Sequence, residues 1–506
     1  MDNILSSHIH NDLPIYLLYL PDMRLVHRSA VEALIQPATV DRMINGYLTE
    51  PVSLIQREQY VERMVKDKTA YAIFSHRWLV GGELTFQDLS KLESIDVAGL
   101  NLLINRPLRE LKKLRGAVIL DQAMASTPNG NAERNGIEVF KKIQELCDRL
   151  SDQDHCATDL VKLVKFCEAA LRYKCDYVWL DTGCINKQSS AELEESIRSM
   201  FSWYRNSKMC IVHLSQTSTL SDMAQDPWFT RGWTLQELLA PTAMKFFSKS
   251  WHPLTSMRND KVWDHKSGIP LWKTISKITQ IPVVQLLGFK PGTINIRERM
   301  VWASRRKTTR IEDMAYCLIG IFNIPLSIAY GEGQMAFYRL QVEILQHSHD
   351  RGLFAWNGSA SSRNSMFAAG PEAFFPLRWS LLTTEEDIGS ADPTYMLTNY
   401  GLRIPLSIYE VQRIEAVDMD NGVQSTYKLE AQGLLGKIEV AFDKSLSEDT
   451  KLTIGILGNG PDDVSLAIVL ISSKIGSIQY ERMPTNVIKL PSCNVKREAW
   501  KVIFIK

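Results

Sequence analysis

The chain has 506 residues, of which 45% are hydrophobic and 23% are charged, and its formal net charge is +1. A chain this long is expected to form two or three domains, and the composition is typical of a soluble globular protein. The near-neutral charge gives no indication of a nucleic-acid partner. The sequence has neither a membrane-length apolar run nor the basic and apolar regions of a signal peptide. We therefore expect a cytoplasmic protein with no membrane partner.

Eight cysteines are scattered along the chain without a CxxC pair. In a cytoplasmic protein this pattern indicates buried, reduced thiols. His155 and Cys156 are neighbours, but no other ligand follows at the spacing of a metal site. The sequence therefore predicts no metal site.

The segment Tyr71–Trp78 has the pattern of a buried strand with a polar exit. In open α/β sheets ligands bind at the carboxyl ends of strands, so Ser75, His76 and Arg77 are placed for binding. Adjacent strand residues point to opposite faces, which argues against a catalytic pair of Ser75 and His76. Arg77 is the stronger candidate, because a guanidinium group suits phosphate or carboxylate.

Further strands and helices alternate after this one. Tyr177–Asp181 predicts a second buried strand, which places Asp181 at the same ligand edge. Thr158–Arg172 predicts an amphipathic helix, and Ser189 with Glu192 forms a capping box that opens another. Two more strands are predicted at 209–214 and 245–247. This alternation favours a parallel sheet flanked by helices.

The segment Asp226–Pro241 combines two tryptophans with a short apolar helical turn that Pro241 ends. Glu237 lies one helical turn after Trp233, so both side chains share a face. We expect Glu237 at the rim of the apolar stripe, where an aromatic wall can partly desolvate the carboxylate, as in catalytic acids. A solvated helix glutamate is the alternative.

The predicted secondary structure changes twice after this segment. Residues 252–350 have mainly helical patterns, with a capping box predicted at Thr309 and Glu312 and a turn at the YGEG sequence of residues 330–333. From about residue 370, short β-branched runs are separated by Gly, Pro, Asn and Asp, which favours a β-rich, sandwich-like domain or an antiparallel barrel.

Six segments together resemble the fungal heterokaryon-incompatibility (HET) domain. They lie in order within residues 71–251 and read YAIFSHRW, ELTFQDL, YVWLDTGCINK, SAELEESIRSMFSWY, WFTRGWTLQELLAP and FFSKSW. Residues 302–344 resemble the helical segment that often follows this domain. The segment Met23–Leu25 resembles the usual chain start in this family. Leu79 departs from the pattern, since glycine is common there, and residues 91–154 look like an insertion.

The resemblance divides the chain into four parts. These are an N-terminal extension at 1–70, the HET domain at 71–251, a helical region at 252–350 and a β-rich C-terminal domain at 370–506.

HET domains in turn resemble Toll/interleukin-receptor (TIR) domains, which implies a flavodoxin-like parallel sheet flanked by helices. Plant-type TIR domains have a similar Trp-x-Leu-x-Glu-Leu segment whose glutamate is needed for NAD cleavage, and that position is Glu237 here. The resemblance also implies substrate-binding positions near the strand ends, namely Ser75, His76, Arg77, Trp78, Asp181, Cys184, Asn186 and Trp233.

One carboxylate suffices for this chemistry, because nicotinamide leaves as a neutral molecule and the carboxylate stabilises the oxocarbenium-like ribose. Arg77 would hold the pyrophosphate, Trp78 or Trp233 would stack on a ring, and Asp181 would bond a ribose hydroxyl. Two alternatives stay open: Trp233 as a core residue and Asp181 as a brace of its loop.

The resemblance implies non-self recognition and programmed cell death in fungi, with NAD as substrate and no cofactor. The implied partners are other incompatibility proteins or further copies of this chain. A non-enzymatic signalling or scaffold module that acts through domain contacts stays open as the alternative. A different nucleotide or nucleic-acid activity at the same strand-end cleft stays open too.

Overall fold

Two compact units make up the chain, residues 1–289 and residues 290–506. The computed structural model describes residues 2–21, 23–34, 54–78, 83–90, 153–262, 270–375, 394–420, 424–442, 450–460, 464–472, 477–483, 485–491 and 501–506. Leu79 and all but the last two residues of the predicted insertion lie outside these ranges. The four-part domain division stays a prediction.

A six-stranded sheet forms the centre of the first unit. Its strands are β1 (Tyr16–Tyr19), β2 (Arg24–His27), β3 (Tyr71–His76), β4 (Tyr177–Trp179), β5 (Met209–His213) and β6 (Met244–Phe247), in the order β2-β1-β4-β3-β5-β6. Strands β4, β3, β5 and β6 are parallel to one another. Numbered along the chain, these four run 2-1-3-4, which is how the flavodoxin-like strand order begins. The predicted α/β class is confirmed. The sheet is parallel-rich and not wholly parallel as predicted, because β1 and β2 pair antiparallel.

Every residue of the four parallel strands is buried, as expected for a parallel sheet covered on both faces. The helices of this unit are α1 (Asp2–Asp12), α2 (Arg28–Leu34), α3 (Leu54–Lys68), α4 (Phe86–Leu89), α5 (Gln153–Arg172), α6 (Ser190–Asn206), α7 (Thr234–Leu239), α8 (Pro270–Thr279) and α9 (Val283–Gly288).

Further segments of the chain lie along both edges of the four parallel strands. On the β4 side, the antiparallel hairpin β1–β2 pairs with β4, so the segment predicted as an extension contributes two strands to the sheet. On the β6 side, the chain folds back along the strand. Leu254 N–H donates to Phe246 O at 3.0 Å, and Asp260 N–H donates to Met244 O at 2.7 Å.

Half of the predicted capping box is present, because Ser189 is the N-cap of α6, whereas the Ser189 amide hydrogen goes to Asn186 O at 3.2 Å and not to Glu192. The Ser189 hydroxyl accepts a hydrogen bond from Glu192 N–H at 3.4 Å, which satisfies one of the free amide groups of the first turn.

Replacing Ser189 with alanine is expected to lower the free energy of unfolding by about 0.5–2 kcal/mol, because that amide loses its acceptor. Chemical denaturation measures the loss. Ser189→Asp is the matched control, since it keeps a capping oxygen and should stay near the wild-type value. Equal stability of the alanine and aspartate variants would contradict the capping role.

The second unit begins with helices: α10 (Ile296–Ala303), α11 (Asp313–Tyr316), α12 (Ile319–Phe322) and α13 (Met335–Gln346). The predicted capping box at Thr309 is wrong, because Glu312 itself is the N-cap of α11 and its side chain makes no cap bond. The Glu312 carboxylate instead accepts the amide hydrogens of Gly331 at 2.9 Å and Gly333 at 3.1 Å. It thereby holds the YGEG turn before α13.

A second sheet, of nine strands within the described residues, follows the helices. Its strands are β7 (Met396–Thr398), β8 (Gly401–Asp420), β9 (Gln424–Ala431), β10 (Ile438–Phe442), β11 (Lys451–Gly460), β12 (Val464–Ser472), β13 (Gln479–Arg482), β14 (Ile488–Pro491) and β15 (Lys501–Ile505). The pairings run β8-β11-β12-β13-β15 and return to β8, so these five strands form a closed ring. All these pairs are antiparallel except β13–β15. The predicted β-rich C-terminal region is confirmed.

The five cysteines whose bonding the structure describes are free and buried: Cys167, Cys175, Cys184, Cys210 and Cys317. The prediction of buried thiols holds for these positions. Among the helices of the described ranges, none is both long enough and apolar enough to span a bilayer.

Candidate active site

The polar residues predicted at strand ends do meet at one edge of the sheet. Strand β3 ends in Ser75 and His76, and Asp181 follows β4 by two residues. Strand β3 lies between β4 and β5. The strand order reverses between β3 and β5, and ligands usually bind at such a reversal in open α/β sheets.

A hydrogen-bond chain joins three buried residues at this edge. The indole Nε1–H of Trp228 donates to Ser75 Oγ at 2.9 Å. The Ser75 hydroxyl donates to Glu237 Oε2 at 2.6 Å. Trp228 and Ser75 are fully buried, and Glu237 is 4% exposed.

Glu237 therefore lies in the interior and not at the rim where the sequence placed it. Every residue of α7 is buried, whereas the apolar stripe of an amphipathic surface helix would leave its rim partly exposed. The indole that joins the hydrogen-bond chain of Glu237 is that of Trp228, which precedes α7, and not that of Trp233.

Burial has a large electrostatic consequence for Glu237. Desolvation, followed by the negative charge of Asp181, raises the pKa of Glu237 to about 8, against the smaller lowering effects of Ser75, Arg231 and Tyr204. The carboxyl group is therefore mostly protonated at neutral pH in this state. A perturbed acid at a strand-end cleft is a candidate functional group.

Local sequence explains how Trp228 is held. Asp226 accepts the Trp228 amide hydrogen at 3.1 Å through one carboxylate oxygen. Its other oxygen accepts Gln216 N–H at 2.8 Å, so the tryptophan turn is fastened to the loop after β5. The Thr234 hydroxyl is placed 2.5 Å from Trp228 O, which ties the turn to α7.

The far end of α7 is held by a buried lysine. Lys261 Nζ donates to Leu238 O at 2.9 Å and to Leu239 O at 3.1 Å, and a cation is favourable at the carboxyl end of a helix. Burial lowers the pKa of Lys261 to about 7.

A second group of residues surrounds Trp78, whose indole is 38% exposed. Its Nε1–H donates to Asp181 Oδ2 at 2.8 Å. Lys187 Nζ lies 4.3 Å and Arg231 Cζ lies 4.4 Å from the centre of the ring, within the range of cation–π attraction. Asp181, Trp78 and two cations thus form a polar platform at the surface.

The remaining predicted residues occupy different environments. Arg77 is partly exposed, and Trp233 is half-buried at the N-cap of α7. Cys184 is buried, and burial raises the pKa of its thiol to about 12. Asn186 Oδ1 accepts Gln188 N–H at 3.2 Å, so this side chain braces its own loop.

His76 lies on the opposite face from Ser75, as strand alternation predicts. Its ring stacks on Phe74 at 4.2 Å, and its Nε2 lies 3.5 Å from Glu83 Oε2. Glu83 in turn accepts a hydrogen bond from Lys162 Nζ at 2.6 Å. Burial, then Lys162, lowers the pKa of His76. His76 is therefore a neutral core residue that makes none of the contacts of the Glu237 chain.

Sequence reasoning missed Trp228, Arg231 and Lys187 as site residues. Trp228 was visible in the motif, but nothing local indicates that it bonds Ser75, which is 153 positions earlier. Arg231 and Lys187 come from loops after different strands. Their common contact with Trp78 exists only once the sheet has formed. No group of three His, Cys, Asp or Glu side chains in the described part of the chain could hold a metal ion.

Fold and site together define an α/β protein with a buried, protonated glutamate at the strand-end edge of a parallel-rich sheet. Residues 144–223 match the family described as heterokaryon incompatibility protein (HET). The chain therefore contains a HET domain.

One curated relative is the vegetative incompatibility protein HET-E-1 of Podospora anserina, 41% identical over 194 residues. That alignment includes 36% of this chain and 14% of the relative's length. No solved structure matches the chain.

Proposed function

We propose that this chain is a signalling protein of heterokaryon incompatibility, acting in non-self recognition and programmed cell death, and that its HET domain has a TIR-like fold and hydrolyses NAD with Glu237 as the catalytic group. The HET match and the similarity to a vegetative incompatibility protein support the role. The 2-1-3-4 order of the parallel strands supports the fold. The buried, hydrogen-bonded Glu237 supports the chemistry.

The positive charge on the nicotinamide ring of NAD would favour ionisation of the protonated Glu237. An opposite charge nearby favours the ionised carboxylate, so substrate binding would draw the proton off and leave a negative charge beside the ribose. That charge stabilises the oxocarbenium-like transition state. The partly exposed Trp78 indole suits stacking on a ring of NAD once Lys187 or Arg231 has moved away from it. Arg231 or Arg77 suits the pyrophosphate.

Glu237 is 4% exposed, so a ribose reaches it only after side chains at the edge have moved. We place that movement in an assembly of several copies or with another incompatibility protein, which would be the active form. NAD is the substrate in this proposal, and no cofactor is involved.

The test is NAD loss by purified protein, wild type beside Glu237→Gln, with and without a crowding agent that promotes assembly. We expect the assembled wild type to consume NAD and the variant to lose at least about 100-fold in rate. Because ionised Glu237 is the active form, kcat/KM should rise with pH through about 8. Glu194→Gln, at a partly exposed position on α6, is the control and should stay active.

The burial of Glu237 also favours a second candidate, a non-enzymatic module that signals by domain contact. In that case the assembled wild type would leave NAD intact, and Glu237→Gln would still support incompatibility in the cell. Either of these results contradicts NAD hydrolysis by Glu237.

A further inference from the structure

The two hydrogen bonds that join Trp228, Ser75 and Glu237 have a defined direction when Glu237 is ionised. An indole Nε1–H donates and cannot accept, whereas a hydroxyl has one proton to give. Trp228 therefore must donate to Ser75 Oγ, and Ser75 donates its single proton to an ionised Glu237 at Oε2, 2.6 Å away. The Trp228 bond cannot reverse while the residues keep these positions. Once Glu237 is ionised its carboxylate can only accept, so the bond from Ser75 then has a fixed direction as well.

We infer that Ser75 and Trp228 are positioning residues that hold the ionised Glu237 carboxylate through this hydrogen-bond chain, with Oε2 as the acceptor. The inference rests on the proposed function, which makes Glu237 the catalytic group.

The surroundings make the chain rigid enough for this role. Asp226 and Thr234 fasten the Trp228 turn at both ends, and Ser75 lies in a central strand with neighbours on each side. A buried chain of polarised hydrogen bonds is stronger than the same bonds in water. The chain stabilises the ionised carboxylate and so partly opposes the effect of burial.

Other charged or titratable groups face Glu237 and set the background for a titration. The Asp181 charge raises its pKa, whereas Arg231 and Tyr204 lower it. Cys210 Sγ lies 4.0 Å from Glu237 O. Substitutions at Ser75 or Trp228 leave these four residues in the protein. A shifted midpoint of the Glu237 titration would therefore report the loss of the hydrogen-bond chain.

The test is an infrared titration of the full-length protein, which follows the C=O band of the protonated Glu237 carboxyl as the difference from Glu237→Gln. Ser75→Ala should move the midpoint upward by about one pH unit, because a charge-assisted hydrogen bond to the carboxylate is lost. Trp228→Phe keeps a ring and should give a smaller upward shift. Ser75→Thr keeps the hydroxyl and should restore the wild-type midpoint.

Two controls separate positioning from general damage. Trp272→Phe removes a comparable buried indole bond, the one to Asp260 O, and should leave the midpoint unchanged. The double variant Ser75→Ala, Trp228→Phe should shift no further than Ser75→Ala alone, because Trp228 acts only through Ser75. An unchanged midpoint in Ser75→Ala, or additive shifts in the double variant, would overturn the inference.

The same variants distinguish this inference from the proposed function. If the assembled wild type consumes NAD, the pH profile of kcat/KM should move with the infrared midpoint in each variant. If it consumes none, NAD hydrolysis fails, but the infrared midpoints still decide whether Ser75 and Trp228 hold the carboxyl group.

Discussion

Replacing Glu237 with glutamine is expected to stabilise the protein at alkaline pH. Burial raises the pKa of Glu237 from 4.5 to about 8 in the folded chain, so unfolding releases its proton between these values. The folded state loses about 1.4 kcal/mol per pH unit across that interval. Below pH 4.5 the group contributes nothing, and above pH 8 its cost is constant at roughly 5 kcal/mol. Glutamine is never ionised and avoids this cost.

Denaturant unfolding followed by tryptophan fluorescence measures the effect. The difference between Glu237→Gln and wild type should grow from pH 5 to pH 8 and then level off. Any fixed cost of placing an amide beside Ser75 adds the same amount at every pH, so the slope is the readout. Glu62→Gln is the control, because Lys66 lowers the pKa of that exposed group. A flat difference for Glu237→Gln would show that its carboxyl is ionised in the folded state.

Breaking the buried ion pair of Lys245 and Asp260 is expected to cost about 3–5 kcal/mol. Lys245 Nζ lies 3.0 Å from Asp260 Oδ1, and the two residues are 3% and 4% exposed. Asp260 also accepts Phe246 N–H at 2.8 Å. Asp260→Ala therefore leaves both a buried ammonium group and a strand amide without this carboxylate.

The free energy of unfolding measures this loss, with Lys165→Met as the matched control. Lys165 pairs with Glu168 at 3.0 Å on α5, but its side chain is 33% exposed, and such pairs contribute about 1 kcal/mol or less. The double variant Lys245→Met, Asp260→Leu should recover part of the loss because it leaves no unpaired charge. A loss in Asp260→Ala no larger than in Lys165→Met would contradict the buried pair.

The local elements could be predicted because their signals are local. Tyr71–Trp78 is apolar until its polar exit, and the strand ends at His76. Ser189 is a capping residue three positions before a glutamate, and it caps α6. Strand ends at Ser75 and Asp181 could also be predicted to share an edge, since parallel strands place their carboxyl ends together.

The chemistry of Glu237 could not be predicted in the same way. Its burial depends on what packs around α7, and the bond from Ser75 joins positions 162 residues apart. Helical periodicity pointed to Trp233 as the neighbouring indole, but periodicity describes one helix and not the sheet beneath it. The roles of Arg77, Cys184, Asn186 and Trp233 in substrate binding stay predictions. Burial of Cys184 favours a packing role for its thiol.

The chain that folds back along β6 limits how copies of this protein can join. Residues between Leu254 and Asp260 occupy backbone groups of β6 that a neighbouring strand would otherwise use. Edge strands are where sheets of separate molecules merge into aggregates or fibres, and proteins often cover them. Copies therefore cannot extend this sheet across β6. Copies that joined through this sheet would have to pair at its other edge, β2, and any other assembly would form through helix and loop surfaces.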